Sequence, residues 1–342
     1  MDAALSLLKA RAPAPAARAL AVSDDVVTNL PVLARGSHLN PGKEAVPRGF
    51  PACAGPVPVR PPTAGQSGRL ELARWIVDPS NPLTARVLAN RVWQAHFGEG
   101  LVRTPDNFGL RGDAPSHPEL LDWLASEWIR TGWSLKALHR RIVLTRAYGQ
   151  SSVASEPGSD PENRLLHAYP RQRLEAEMLR DALMAVGGRL ERTLGGTLVA
   201  WKNDEYTPAD DAPFRSPRRA LYLPLVRDRG IDLFAAFDGA NPSVSVARRG
   251  STVVSPQALY LMNSPVMREA AEGVASRVLA HEAPARTGRL YGIVLARPPR
   301  AAEEERARRF LADGRLAALD EKQRWTALAQ ALLASNEFTH RE

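Results

Sequence analysis

The sequence predicts a mainly α-helical fold of two lobes, with a small β element. Three observations lead to this prediction. The 342 residues exceed what one hydrophobic core needs. Hydrophobic residues make up 44% and charged residues 24% of the chain, as in globular proteins. From residue 68 onward, apolar residues recur near the helical period. No apolar run approaches the roughly 20 residues that span a bilayer, so we expect no transmembrane segment.

Residues 1–67 are predicted to form a proline-rich extended arm. Prolines recur from Pro13 to Pro62, and each removes a backbone donor that a helix would use. Within this arm, Leu30, Val32 and Ala34 alternate with other residues before a Gly-Ser turn. This alternation predicts one short strand at residues 29–35.

Residues 68–150 are predicted to form a lobe of four helices. The first helix runs from residue 68 to just before Pro79. Asn81 is a good N-cap for the second helix, with Pro82 in its first position, and Gly98 ends that helix.

The last two helices of this lobe begin at recognisable capping residues. Ser116 and Glu119 have the spacing of a capping box, which predicts the start of the third helix. Ser134 is the expected N-cap of the fourth helix, which runs to about Ala147.

Residues 151–342 are predicted to form a second helical lobe. A helix at residues 173–186 is expected to end at two glycines. Residues 219–226 alternate with apolar residues on both faces, which predicts a short buried strand. Further helices are predicted at about residues 255–262, 265–280, 286–296, 300–313 and 321–335.

The positive charge of the chain is weak support for a nucleic-acid partner. The net charge is +8, but of the 45 cationic residues only five are lysines. This arginine bias, together with abundant alanine, proline and glycine, is typical of GC-rich coding sequences. Residues 123–147 have the spacing of a helix-turn-helix, but the apolar content of both helices indicates burial. We therefore expect no nucleic-acid partner.

Cofactor motifs are absent from the sequence. Cys53 is the only cysteine, so neither an intramolecular disulfide nor a CxxCH haem-attachment motif is possible. The sequence has no HExxH motif, and the acidic residues within 204–211 do not follow the ligand spacing of an EF-hand. We expect no cofactor and no metal in this chain. Asp2 stands where a signal peptide would carry a base, so the sequence predicts no export signal.

One candidate polar site lies at residues 90–117. The candidate catalytic residues are His96, Asp106 and His117, and the candidate ligand-binding residues there are Asn90 and Arg91. A histidine paired with an aspartate is a possible general base. The alternative is that these side chains stabilise helix ends and caps.

A second candidate site lies at residues 248–257. Arg248 and Arg249 precede a polar loop, and Gln257 stands at a helix start. Guanidinium groups and free N–H groups at that point favour an anion. Loop anchoring and helix capping are the alternative roles.

Several stretches together carry a family resemblance. They are Asn81-Pro82-Leu83-Thr84-Ala85-Arg86, Asn90-Arg91-Val92-Trp93, His96-Phe97-Gly98, Thr104-Pro105-Asp106-Asn107-Phe108-Gly109, Ser116-His117-Pro118-Glu119-Leu120-Leu121-Asp122-Trp123-Leu124, Arg219-Ala220-Leu221-Tyr222-Leu223-Pro224 and Ser335-Asn336-Glu337-Phe338. From residue 68 to residue 338 the chain resembles the C-terminal domain of planctomycete surface proteins, the domain-of-unknown-function family numbered fifteen fifty-three.

The resemblance implies a context rather than a reaction. Members of this family are usually exported, and a c-type cytochrome module that carries haem often precedes the domain. This chain shows no such module, and its localisation is open. The sequence favours a noncatalytic scaffold or binding module of a surface assembly, whose partner is a protein or a surface polysaccharide. The alternative is an enzyme acting on carbohydrate, with its polar site at residues 90–117.

Overall fold

The computed structural model describes residues 21–51, 65–153, 160–198, 212–227 and 230–341. In these ranges the chain is mainly α-helical, with two small two-stranded antiparallel sheets, which confirms the predicted fold class. The helices are α1 Arg69–Val77, α2 Thr84–Phe97, α3 Pro118–Arg130, α4 Leu135–Val143, α5 Ala176–Val186, α6 Asp232–Ala236, α7 Ser255–Asn263, α8 Pro265–Leu279, α9 Arg286–Val294, α10 Ala301–Leu311, α11 Glu321–Leu333 and α12 Asn336–Thr339. The strands are β1 Pro31–Leu33, β2 Pro41–Ala45, β3 Gln172–Arg173 and β4 His340–Arg341.

The chain divides into two compact units, residues 1–86 and 87–342. In the described part of the first unit, β1 pairs with β2, so the strand predicted at residues 29–35 is present over three residues. The partner strand β2 was not predicted. The ring of Phe50 stacks on Trp75 of α1 at a centroid distance of 5.2 Å. Cys53 and residues 204–211 lie outside the described residues.

The start of α2 follows the predicted capping chemistry with a shifted boundary. The Asn81 side chain accepts hydrogen bonds from the backbone N–H groups of Leu83 and Thr84, at 3.0 and 3.4 Å. This is the role of an N-cap. The helix begins at Thr84 rather than at Pro82, because the residues after Asn81 first form a turn.

A hydrophobic cluster joins α2, α3 and α4. Its buried members are Ala89, Trp93, Phe97, Leu101, Val102, Leu121, Leu124, Trp128, Leu138, Ile142 and Tyr169. Ser134 caps α4 as predicted, because its hydroxyl accepts from the N–H of Ala137 at 3.3 Å. The predicted capping box at Ser116 is wrong. His117 is the N-cap of α3 and makes no capping hydrogen bond, and the Ser116 hydroxyl lies 3.0 Å from His117 Nδ1.

A second, larger cluster joins α5 to α12. Helices α7 to α11 match the five helices predicted between residues 255 and 335, with ends that differ by at most two residues. Helix α8 lies at its centre, where Met267, Ala271 and Val274 are completely buried. Gly273 of α8 faces Gly187, and a Cβ on Gly273 would lie 2.3 Å from the Gly187 carbonyl oxygen. A side chain at residue 273 would therefore not fit.

The strand predicted at residues 219–226 is wrong. Residues 220–222 form a short 3₁₀ helix, and Leu221 is 74% exposed. The physical reason is that backbone groups of this segment bond within a turn and to a side chain. The N–H groups of Tyr222 and Leu223 donate to the carbonyl oxygens of Arg219 and Ala220, and the N–H of Ala220 donates to the carboxylate of Asp181 in α5 at 2.7 Å. The backbone needs no sheet neighbour where such bonds satisfy it.

The helix predicted to start at residue 173 begins at Ala176 instead. Residues 172–173 form β3, which pairs with β4 at the end of the chain. A partner so distant in sequence leaves no local signal. The predicted domain boundaries after residues 67 and 150 stay predictions. In the described ranges, no helix combines the length and the apolar character that a membrane span requires.

Candidate functional site

A cleft of about 480 Å³ lies within the second unit. The C-terminal half of α2 forms one side. Two stretches of consecutive residues, 171–175 and 246–251, form the others, and the lining is completed by one residue of α5, two residues that directly follow α6 and one residue of β4. The lining residues include Arg91, Gln94, Ala95, Gly98, Met178, Phe237, Asp238 and Arg341. This volume lies in the range of ligand-binding clefts.

The cleft is rich in arginine. Six arginines line it, at positions 91, 171, 173, 248, 249 and 341, against the two carboxylates Glu175 and Asp238. Arginine is the side chain that best matches planar oxyanions, because its guanidinium donates two parallel hydrogen bonds. The lining therefore carries a surplus of positive charge.

Arg173 is the most deeply held of these arginines. Its side chain is only 9% exposed, and its guanidinium donates to Asp238 at 2.6 Å and to the carbonyl oxygen of Thr252 at 2.7 Å. Its Nε is buried and has no hydrogen-bond partner among the described residues. Burial opposes ionisation of Asp238, but hydrogen bonds from Thr252 and Arg173 hold the pKa of that carboxyl below its usual range.

Arg248 and Arg249, both predicted as ligand-binding residues, line the cleft and form ion pairs at its edge. Arg248 lies 2.7 Å from a carboxylate oxygen of Glu99. Arg249 lies 2.7 Å from Glu177 and 3.2 Å from Glu175. Both guanidiniums stay partly exposed, with 54% and 33% of their side chains accessible to solvent. Both guanidinium groups are therefore ion-paired with carboxylates and remain accessible to solvent.

Arg91 and Arg341 carry the charge that no carboxylate offsets. Arg91, the third predicted ligand-binding residue at the cleft, is exposed, and no described residue forms an ion pair or hydrogen bond with its side chain. Arg341 donates to the carbonyl oxygens of Ala95 and His96 and to the side-chain oxygen of Gln172. Among the described residues, Arg341 has no carboxylate partner.

The two amide residues predicted to bind a ligand have other partners. Asn90 is completely buried and makes hydrogen bonds to both backbone groups of Val102, at 3.0 and 2.8 Å. Gln257 is buried at the start of α7, where its amide donates to Thr252 and its oxygen accepts from the N–H of Val254. Neither residue lines the cleft. Both side chains hold the backbone of a loop.

The three predicted catalytic residues do not form the expected pair. His96 Nε2 lies 2.8 Å from His139 Nδ1, so His96 bonds to a histidine rather than to Asp106. Burial, and then the neighbouring His139 and Arg341, lower the pKa of His96. Asp106 is exposed on its loop, and His117 contacts Ser116 at the start of α3. None of these three residues lines the cleft.

Most lining residues of the cleft were not predicted as site residues, among them Arg173, Asp238 and Arg341. Arg173 was interpreted as part of an ion-pair cluster on a helix, whereas Asp238 and Arg341 were not considered. No local sequence pattern identifies them, because their partners are far away in the sequence. Asp238 is 65 positions from Arg173, and Arg341 is 245 positions from His96. In the described part of the chain, no group of three or more histidine, cysteine, aspartate or glutamate residues is arranged to hold a metal ion.

Comparison with known proteins gives one match. No curated protein matches the chain. No solved structure matches it either. A family model named PSD1, described as a protein of unknown function (DUF1553), matches residues 68–311. This range covers most of the chain and contains every residue named above as lining the cleft except Arg341. The chain therefore belongs to the DUF1553 family of proteins of unknown function.

Proposed function

We propose that this chain is a noncatalytic binding module and that its arginine-lined cleft binds an anionic ligand. The observation that carries the proposal is that six arginines line one cleft and that the carboxylates around it do not pair with all of them. Two of these arginines, Arg91 and Arg341, have no carboxylate partner among the described residues. A cleft with uncompensated guanidinium groups attracts and orients oxyanions.

The chemistry of the lining favours binding over catalysis. General acid–base catalysis needs a group that can exchange a proton near neutral pH. The carboxylate of Asp238 accepts hydrogen bonds from Arg173 and Thr252, and its lowered pKa makes it a weak base. Glu175 is paired with Arg249. No histidine is among the described residues of the lining.

The family resemblance supports a wider context for this module. Planctomycete surface proteins carry this domain behind other modules, among them c-type cytochromes. We extend the proposal to a role in an exported surface assembly, where the cleft holds a protein or polysaccharide partner. Haem, if it is part of such an assembly, belongs to the cytochrome module and not to this chain.

The test compares anion binding by two matched variants. Isothermal titration with polyglutamate, oligogalacturonate and heparin covers carboxylate and sulfate ligands. We expect at least one of these ligands to bind, with an affinity that falls as salt rises. Arg91→Ala should weaken binding about ten- to a hundredfold, because a charged hydrogen bond contributes about 1.5–3 kcal/mol. The control is Arg308→Ala, a change at an exposed arginine of α10 outside the cleft.

Two results would contradict the proposal. One is the absence of saturable binding to all three polyanions at low salt. The other is an equal loss of affinity in Arg91→Ala and Arg308→Ala, which would mean that the anions bind through overall positive charge rather than at the cleft.

A further inference from the structure

Two main-chain segments contribute much of the cleft lining. Its walls include five consecutive residues, 171–175, and six consecutive residues, 246–251. At about 3.3 Å per residue, five extended residues span about 15 Å. Main chain thus runs along the cleft on two sides, and a ligand between these walls meets backbone groups as well as side chains.

Strand β3 has one neighbouring strand in the described ranges and contributes to the cleft lining. Both of its residues, Gln172 and Arg173, line the cleft. In the described ranges, β3 pairs only with β4, in a two-stranded antiparallel sheet. A strand with one neighbour leaves backbone groups on its other side for a further strand. Extended peptides bind to many proteins by adding a strand to such an edge.

The cleft lining combines charged and exposed apolar side chains. Arg91 and Arg341 supply guanidinium groups without carboxylate partners. Met178 is 50% exposed and Val246 is 59% exposed, and both line the cleft. Successive side chains of a bound strand point to opposite sides. A peptide that alternates acidic with apolar residues can therefore contact both kinds of surface.

A sugar ligand fits this lining less well. Sugar-binding clefts commonly present an exposed aromatic face. The one aromatic side chain of the described lining is Phe237, which is only 2% exposed. The guanidinium of Arg173 lies over its ring, 5.4 Å from the centroid. No aromatic platform is open to a polysaccharide among these residues.

We propose that the cleft binds an acidic peptide segment of a partner protein in extended form, as a third strand beside β3. This inference rests on the proposed function, because it identifies the ligand of the same anion-binding cleft. The carboxylates of the peptide pair with Arg91 and Arg341, its apolar side chains contact Met178 and Val246, and its backbone pairs with β3.

The experiment uses the full chain and a fluorescently labelled, end-capped peptide of about nine residues that alternates glutamate with valine. Two matched control peptides have the same sequence and charge but carry N-methyl groups on alternate backbone nitrogens, one on the odd-numbered and the other on the even-numbered residues. Each control peptide therefore lacks the hydrogen-bond donors along one of its two edges. Fluorescence anisotropy should give a dissociation constant below about 1 mM for the first peptide. One of the two methylated peptides should bind at least about tenfold more weakly than the unmethylated peptide, because its methyl groups remove the donors that face β3.

The protein variants separate the two kinds of contact. Met178→Gln, an uncharged change at the exposed edge of the cleft, should weaken binding of the alternating peptide severalfold more than it weakens binding of polyglutamate. Arg91→Ala should weaken both. Arg308→Ala should change neither.

Each contrary outcome has a separate meaning. If both methylated peptides bind as tightly as the unmethylated peptide, strand addition is overturned. Binding of oligogalacturonate without binding of the alternating peptide overturns the peptide inference and leaves the anion-binding function standing. Failure of polyglutamate, oligogalacturonate, heparin and the peptide to bind overturns the proposed function itself.

Discussion

Replacing Asn90 by alanine should destabilise the protein rather than abolish ligand binding directly. The Asn90 side chain is completely buried, and its amide satisfies both the N–H and the C=O of Val102. The loop that follows α2 is fitted closely around this amide, since a Cβ on Gly100 would lie 2.5 Å from Asn90 Nδ2. Water therefore has little room to replace the lost hydrogen bonds.

The magnitude follows from the two backbone groups that lose their partners. A buried donor or acceptor left without a hydrogen bond costs about 1–3 kcal/mol. For Val102 the sum is about 2–5 kcal/mol, since partial relaxation of the loop lowers the upper limit. At about 2.1 cal/mol/K of unfolding entropy per residue, each kcal/mol lowers the melting temperature of a 342-residue chain by about 1–2 °C. We therefore expect Asn90→Ala to lower it by roughly 3–8 °C.

Urea denaturation followed by tryptophan fluorescence measures this effect, because Trp93 and Trp128 belong to the same hydrophobic cluster. Gln94→Ala is the matched control. Gln94 lies one helical turn further along α2, is only half-buried, and should change the free energy of unfolding by less than about 0.5 kcal/mol. A loss below about 1 kcal/mol for Asn90→Ala, together with a loss of anion binding, would refute this reasoning and restore Asn90 as a ligand-binding residue.

Two further predictions concern protonation and packing. Because the pKa of His96 is lowered in the folded state, the unfolded chain binds more protons, so the contribution of His96 to stability is complete above pH 6.5 and is lost as pH falls below it. Urea midpoints between about pH 5 and pH 8 should show this loss, and His96→Gln should flatten the profile; identical profiles would contradict the assignment. Gly273→Ala should destabilise the protein by about 2 kcal/mol or more, because its methyl group overlaps the Gly187 carbonyl. Gly292→Ala in α9, where nothing lies within 4 Å of the new Cβ, should instead be neutral or stabilising in thermal melts.

Helices were predictable where both their ends and their apolar faces are encoded locally. Ser134 caps α4, and the period of apolar residues sets the length of α8, where Met267, Ala271 and Val274 are buried on one side. These signals depend on residues within one or two turns. The predicted helices of the second cluster therefore match the structure closely.

Predictions failed where a distant side chain decides the backbone conformation. Residues 219–226 have the alternation of a strand, but the N–H of Ala220 donates to the carboxylate of Asp181, which lies 39 positions earlier in the sequence. In the same way, residues 172–173 form a strand because they pair with residues 340–341, which are far away in the sequence. Sequence periodicity contains no information about such partners.

The candidate site was predictable in part. Arg91, Arg248 and Arg249 were identified from the sequence and line one cleft, although they lie on segments far apart in the chain. Arg248 and Arg249 precede a polar loop, whereas Arg91 lies on an exposed position of α2. The amides of Asn90 and Gln257 are buried, and both hold loop backbone. Local sequence does not distinguish an amide that holds a loop from one that faces a ligand.

The end of α2 explains why the cleft retains uncompensated positive charge. The carbonyl oxygen of His96 accepts hydrogen bonds from Tyr169, Gln172 and Arg341. The last carbonyl groups of a helix carry a partial negative charge that favours a cation. Arg341 is thus fixed in place by carbonyl groups rather than by a carboxylate. Partial charges orient its guanidinium without neutralising it, so its full charge stays available to a ligand in the cleft.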